Sequence, residues 1–147
     1  MEAEKKTLII LMADDDADDR LLAEEAMIES RVLNELHFVE DGVELLAYLR
    51  GEEKFADRGK YPLPGLILLD LNMPKMDGRE ALAAIKSDQV LRRIPVVILT
   101  TSKAEEDMLR GYDLGAASYI TKPVTFDVLV DLMRALGKYW VEFVELP

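Results

Sequence analysis

Four apolar runs of this chain stop at residues able to do chemistry. Asp14 and Asp15 follow residues 8–13, Asp70 follows 66–69, Thr100 follows 96–99, and Lys122 follows Tyr119-Ile120-Thr121. As neighbouring parallel strands, these runs would bring three carboxylates, a hydroxyl and an ammonium to one edge of one sheet. Open α/β sheets build their sites at that edge. Carboxylates held together repel one another, so they take up protons or share a cation. Mg²⁺ wants oxygen ligands in octahedral geometry, and carboxylates, a backbone carbonyl and water or phosphate oxygens would supply them. A carboxylate beside such an ion is a nucleophile toward phosphorus, giving an aspartyl-phosphate. Thr100 offers a hydroxyl donor and Lys122 a mobile positive charge. Positioning and neutralising phosphoryl oxygens is most of what phosphoryl transfer asks of a protein. The pattern predicts a metal-dependent phosphoryl site.

Each residue also has a plainer reading. Asp16, Asp18 and Asp19 suit the cap and first turn of a helix, but capping leaves Asp14 and Asp15, at the end of the strand, without a reason. Aspartate often ends strands as a turn residue. Asp70, however, stands in Leu-Leu-Asp70-Leu-Asn72-Met-Pro74-Lys-Met-Asp77-Gly78. There Pro74 and Gly78 would shape a tight loop able to turn the Asn72 carbonyl toward a metal. Thr100 alone reads as a β-branched strand residue, and Lys122 alone as a solvated loop charge. Matching places on four strands favour the joint reading.

The elements needed to position these residues are legible. Strands are predicted at 7–13, 36–40, 65–69, 96–100 and 118–121; most are rich in Val, Ile and Leu without strict alternation, as for parallel strands buried on both faces. Helices are predicted near 17–31, 42–50, 77–87, 104–113 and 125–138. In the last, Val128, Leu129, Leu132, Met133 and Leu136 recur at three- and four-residue spacing, the mark of an apolar stripe. Asp41-Gly-Val-Glu44, Asp77-Gly-Arg-Glu80 and Ser102-Lys-Ala-Glu105 each set a capping side chain three residues before a Glu. Gly111 and Gly115 suit the end of the fourth helix. The order is (βα)5, and right-handed crossovers make it an α/β doubly wound three-layer sandwich. Residues 51–64, polar and rich in Gly and Pro, read as an insertion before the third strand.

Composition narrows the function. The 147 residues suffice for one hydrophobic core. The net charge of −11 disfavours nonspecific contact with nucleic acid or anionic lipid. With no cysteine, thiolate metal sites, disulfides and cysteine nucleophiles are excluded. No apolar run reaches membrane-spanning length, and residues 1–6 lead into a run too short for a signal peptide. A soluble, cytoplasmic protein is expected, with no nucleic-acid or membrane partner. The single histidine, His37, reads as structural, on an edge strand away from the site.

With these residues in place, the chain resembles the receiver domain of bacterial two-component response regulators over about residues 7–138. The motifs are Asp14-Asp15, Leu69-Asp70-Leu-Asn-Met-Pro74, Leu99-Thr100-Thr101-Ser102 and Thr121-Lys122-Pro123. The resemblance implies a flavodoxin-like parallel sheet of order 2-1-3-4-5 and a cis bond between Lys122 and Pro123. It implies Asp70 as phosphoacceptor from a partner histidine kinase. Mg²⁺, or Mn²⁺ in its place, would be held by Asp70, by Asp15 directly, by Asp14 through water and by the Asn72 main-chain oxygen. Thr100 would bond the phosphoryl group, Lys122 would pair with it, and Tyr119 would be the switch aromatic that follows Thr100. Where Asp14 stands, relatives often carry Glu, and either acid serves.

A narrower likeness, to the stand-alone regulators that partner bacterial phytochromes, rests on the 51–64 insertion, residues 100–107 and the ending Tyr139-Trp140-Val-Glu-Phe143-Val-Glu-Leu146-Pro147. It implies a phytochrome kinase as partner and a homodimer. That dimer would form through the 139–147 tail or through the face of the fourth helix, fifth strand and fifth helix. On this reading the whole chain is one receiver domain with no output domain. It is a phosphoacceptor switch rather than an enzyme, although it would carry out its own phosphorylation and dephosphorylation chemistry. The alternatives are a phosphatase or phosphotransferase working through aspartyl-phosphate, and a non-phosphorylated binding scaffold. The first usually needs an acid two residues after the nucleophile, where this chain has Asn72. The complete Asp–Asp–Asp–Thr–Lys set weighs against the second.

Overall fold

Among the described residues five strands, β1 (Leu8–Ala13), β2 (Asn34–Val39), β3 (Leu66–Asp70), β4 (Val96–Thr100) and β5 (Ser118–Thr121), alternate with five α-helices. The helices are α1 (Ala17–Ser30), α2 (Gly42–Arg50), α3 (Gly78–Lys86), α4 (Lys103–Arg110) and α5 (Phe126–Tyr139). This computed structural model describes residues 8–30, 34–100, 103–110, 115–121 and 125–139. All strand pairs are parallel, and the sheet order is β2-β1-β3-β4-β5. The (βα)5 doubly wound arrangement is the one expected.

Alternation along the strands divides the core. Leu11, Ala13, Ile67, Leu69, Val96 and Ile98 pack on one face against Leu45 and Leu49 of α2 and Leu82 and Ile85 of α3. Ile10, Met12, Leu66, Leu68, Val97 and Leu99 pack on the other, against Ala23 and Met27 of α1 and Met133 of α5. β3 and β4 are buried along their whole length, which explains their unbroken apolar runs.

Several predicted boundaries move by a residue or two, and two of the shifts have a clear cause. β2 begins at Asn34, not at 36, because Leu8 and Ile9 of β1 pair with Asn34 and Glu35; a ladder recruits polar residues that hydropathy passes over. β3 runs on to Asp70, which pairs with Leu99, so the carboxylate sits on the last rung of the ladder instead of beyond it. Two of the predicted caps are present. The Asp41 side chain accepts from the Glu44 amide at 2.8 Å and that of Asp77 from the Glu80 amide at 3.0 Å. Ser102 and Gly111 lie outside the described residues.

The 51–64 insertion is bound to α2. Gly51 closes the helix in the left-handed region, at φ 68, a conformation that glycine adopts without steric cost. Arg58 then donates from Nη2 to the Leu49 carbonyl at 2.7 Å, an acceptor of the helix end, and from Nη1 to the Tyr48 carbonyl at 2.8 Å, which also accepts from the Gly51 amide. The Tyr48 hydroxyl donates to the Pro62 carbonyl at 2.9 Å. The Tyr48, Phe55 and Tyr61 rings lie 5.1–5.8 Å apart, and His37 of β2 packs against Tyr48. His37 is thus a packing residue of the second strand, as its position suggested.

Burial pushes the Tyr48 hydroxyl up to about 12, with the nearby Glu35 charge adding to the shift. An unfolded tyrosine ionises near pH 10. Below that pH both states keep the proton; between pH 10 and 12 the unfolded state alone releases it, and the fold loses stability. Tyr48→Phe should therefore cost about 1 kcal/mol at pH 8, through the lost hydrogen bond, and the gap to wild type should shrink by about 1 kcal/mol at pH 11. Urea unfolding at the two pH values measures both.

Candidate functional site

The register aligns the strand ends. Ala13 of β1 pairs with Leu69 of β3, so Asp14 and Asp70 come next on adjacent strands. The Asp14 amide donates to the Val39 carbonyl at 3.0 Å, carrying the β1–β2 ladder one residue past the strand. Asp14 and Asp70 are buried while Asp15 is exposed, and one carboxylate oxygen from each of the three lies within 4.8 Å of the others. The predicted acidic cluster is therefore assembled.

Backbone amides aim these carboxylates. Asp14 Oδ1 accepts from the Asp16 amide at 2.9 Å and Asp70 Oδ1 from the Asn72 amide at 3.0 Å; both are side-chain turns that fix the rotamer. Asp16 then accepts from the Asp18 amide at 2.8 Å, so it is the cap of α1, as the plainer reading held.

The loop after β3 is tight for stated reasons. A Cβ on Gly78 would lie 2.6 Å from the Asp70 carbonyl oxygen and 2.7 Å from the Leu71 Cα. Only glycine lets α3 start so close to the strand. Lys75 adopts φ 66, and the Met76 amide donates to the Pro74 carbonyl at 2.8 Å. This is a three-residue turn of the strained kind. From the neighbouring loop, the Gly42 amide donates to the Met76 carbonyl at 3.1 Å, and a Cβ there would come within 2.4 Å of the same oxygen. Lys75 Nζ also reaches Asp41 Oδ2 at 3.6 Å. Sequence reasoning found Pro74 and Gly78 but missed Gly42 and Lys75. Asp-Gly at 41–42 announced only a helix start.

Thr100 is fully buried at the end of β4. It pairs with Thr121, and Ile98 pairs with Tyr119. Tyr119 packs into the same cluster as Ile98, and alternation puts Thr100 on that face too. Lys122, Pro123, Thr101, Ser102 and residues 140–147, with Trp140 and Phe143, lie outside the described residues.

The donor set is all carboxylate oxygen. Two of its members are buried, and a shared cation is one way to relieve the like charges gathered there. Short-reaching carboxylates with room for water suit a hard divalent ion such as Mg²⁺ or Mn²⁺. The residues present fit such an ion.

A family model described as the response regulator receiver domain matches residues 10–134. Response regulator Rcp1 of Synechocystis sp. is 40% identical over 146 residues, which are 99% of this chain and 97% of Rcp1. The structure of the phosphorylated cyanobacterial phytochrome response regulator RcpA matches with a TM-score of 0.79 at 43% identity, covering 97% of this chain and 99% of its own. The Mn²⁺-bound form of Rcp1 matches with a TM-score of 0.76 at 39% identity, over 95% of this chain and 99% of its own.

Convergent like charges leave a thermodynamic mark. Without divalent ions, Asp70→Asn keeps the bond from the Asn72 amide and removes one charge of the three. It should raise the unfolding midpoint by about 3–6 °C. Adding Mg²⁺ should stabilise wild type and leave the variant nearly unmoved, as differential scanning calorimetry with and without chelator would record.

Proposed function

This chain belongs to the response regulator receiver family, and we propose that within it Asp70 accepts a phosphoryl group from a partner histidine kinase. The observation that carries this is the convergence of Asp14, Asp15 and Asp70 at the carboxyl edge of the sheet. An Asp70 carboxylate oxygen attacks phosphorus as the phosphorus–nitrogen bond of the donor phosphohistidine breaks. The histidine leaves with the bonding electron pair, and an aspartyl-phosphate remains. Asp15, Asp70 and the Asn72 main-chain oxygen would hold a divalent cation directly, and Asp14 through water. When bound, the ion neutralises the charge on the carboxylates and the incoming phosphoryl oxygens. The turns that pin Asp14 and Asp70 hold them oriented before the donor arrives, so little reorganisation is left for the reacting state. In this reading Lys122 pairs with a phosphoryl oxygen.

Thr100 is the sensor. Its hydroxyl bonds the phosphoryl group, and Tyr119, on the adjoining strand and the same face, repacks with it. Support comes from their register and shared face. Phosphorylation then acts by favouring one of two packings of β4, β5 and the helices beside them. Solved structures named as phytochrome or bacteriophytochrome response regulators match nearly all of this chain, which favours a phytochrome kinase as donor. None of the described helices is long and apolar enough to cross a membrane; on this reading, a soluble kinase donor would meet the protein in the cytoplasm. A second copy of the chain joins through the 139–147 tail or the α4-β5-α5 face.

Incubation with Mg²⁺ and acetyl phosphate should add the mass of a single phosphoryl group to the intact protein. Asp70→Asn or chelation of the metal should abolish the gain; a gain that survives in Asp70→Asn would refute the assignment. Deleting residues 139–147 should lower the mass seen by light scattering, and an unchanged mass would remove the tail from the dimer.

A further inference from the structure

Arg20, in the first turn of α1, serves no purpose in the scheme above, yet it grips the site from behind. Its Nη1 donates to the Asp14 main-chain carbonyl at 2.8 Å, and its Nη2 lies 3.3 Å from Glu40 Oε1. The Arg20 side chain is 20% exposed, while that of its partner Glu40 is 64% exposed. Glu40 is held in turn, its amide donating to Glu44 Oε1 at 3.0 Å. Arg20 therefore ties the turn after β1 to the end of β2.

The carbonyl it holds belongs to the peptide group that joins Asp14 to Asp15. A peptide is planar and rigid, so fixing its oxygen fixes the direction in which Asp15 leaves Asp14. The Asp14 amide is already bonded to Val39 and its side chain to the Asp16 amide. With the carbonyl bonded as well, the acidic pair cannot pivot. A forked, always-charged guanidinium suits this task, because it can reach a carbonyl and a carboxylate together.

We propose that Arg20 is a positioning residue for the divalent-cation centre. Through the Asp14 carbonyl and the Glu40 carboxylate, it sets the peptide that presents Asp14 and Asp15 to Asp70. This rests on the cation reading of the three carboxylates. Charge and geometry pull in opposite senses here. A nearby positive group repels a metal ion, so the arginine's charge alone would weaken binding. As a positioner it strengthens binding.

That opposition makes the test decisive. Mn²⁺ affinity is measured from the free-ion electron paramagnetic resonance signal, with circular dichroism confirming the fold of each variant. The double variant Arg20→Gln/Glu40→Gln removes the ion pair without changing net charge. It should bind Mn²⁺ about 10- to 100-fold more weakly, the usual effect of losing a support behind a ligand. Arg20→Lys keeps the charge but cannot span both oxygens, and it should fall between. Wild-type affinity, within twofold, in the double variant or in Arg20→Lys would overturn the proposal. So would tighter binding in Arg20→Ala, which would mark charge as the dominant effect. Wild-type binding that Asp70→Asn does not weaken would instead bring down the cation reading, and this proposal with it.

Discussion

Parallel register is the constraint on which the site depends. Strands whose rungs match from β1 through β5 must also end in matched positions, and the next residue of each strand meets its neighbours at the sheet edge. Ala13 opposite Leu69, Leu99 opposite Asp70 and Thr100 opposite Thr121 place the acidic and hydroxyl groups within one short arc. A slip of one residue in any pair would turn that strand's end residue to the other face. Such a slip would also exchange the side chains that β1, β3 and β4 present to the helices on the two faces, and the close packing of both layers opposes it.

The core and the site are therefore in opposition and in balance. Burying Asp14 and Asp70 costs free energy, as does bringing Asp15 beside them. Layers of Leu, Ile and Val on both faces of the sheet offset that cost through the area they withdraw from water. The loops then keep the carboxylates from relaxing apart. Gly78 allows α3 to begin against β3, and the Lys75 turn is buttressed by the Gly42 amide. The backbone strain at Lys75 is modest, but it lies five residues from Asp70 in the loop that must accommodate an incoming group.

Much of this was legible before any coordinates. Buried parallel strands write themselves as unbroken apolar runs, and capping boxes at Asp41 and Asp77 mark helix starts locally, so fold and acidic cluster followed together. What hid was whatever depends on a partner distant in sequence. Asn34 and Glu35 form strand only because β1 lies beside them. Gly42 looks like any helix-start glycine until the Met76 carbonyl is seen against it. Arg20 looks like an exposed helix cation until its fork is seen closing on Asp14 and Glu40. Residue type and spacing announce chemistry; the supports behind it emerge from three-dimensional neighbours.

The clasp between α2 and the 51–64 insertion reaches beyond packing. The final turn of a helix usually frays, opening and closing far faster than the domain unfolds. Here Arg58 occupies the Tyr48 and Leu49 carbonyls while the Tyr48 hydroxyl ties the helix to Pro62. Fraying α2 thus requires peeling away the insertion as well. Amide protons near Tyr48 and Leu49 become part of a cooperative unit larger than their helix, and a protease would find no early foothold there.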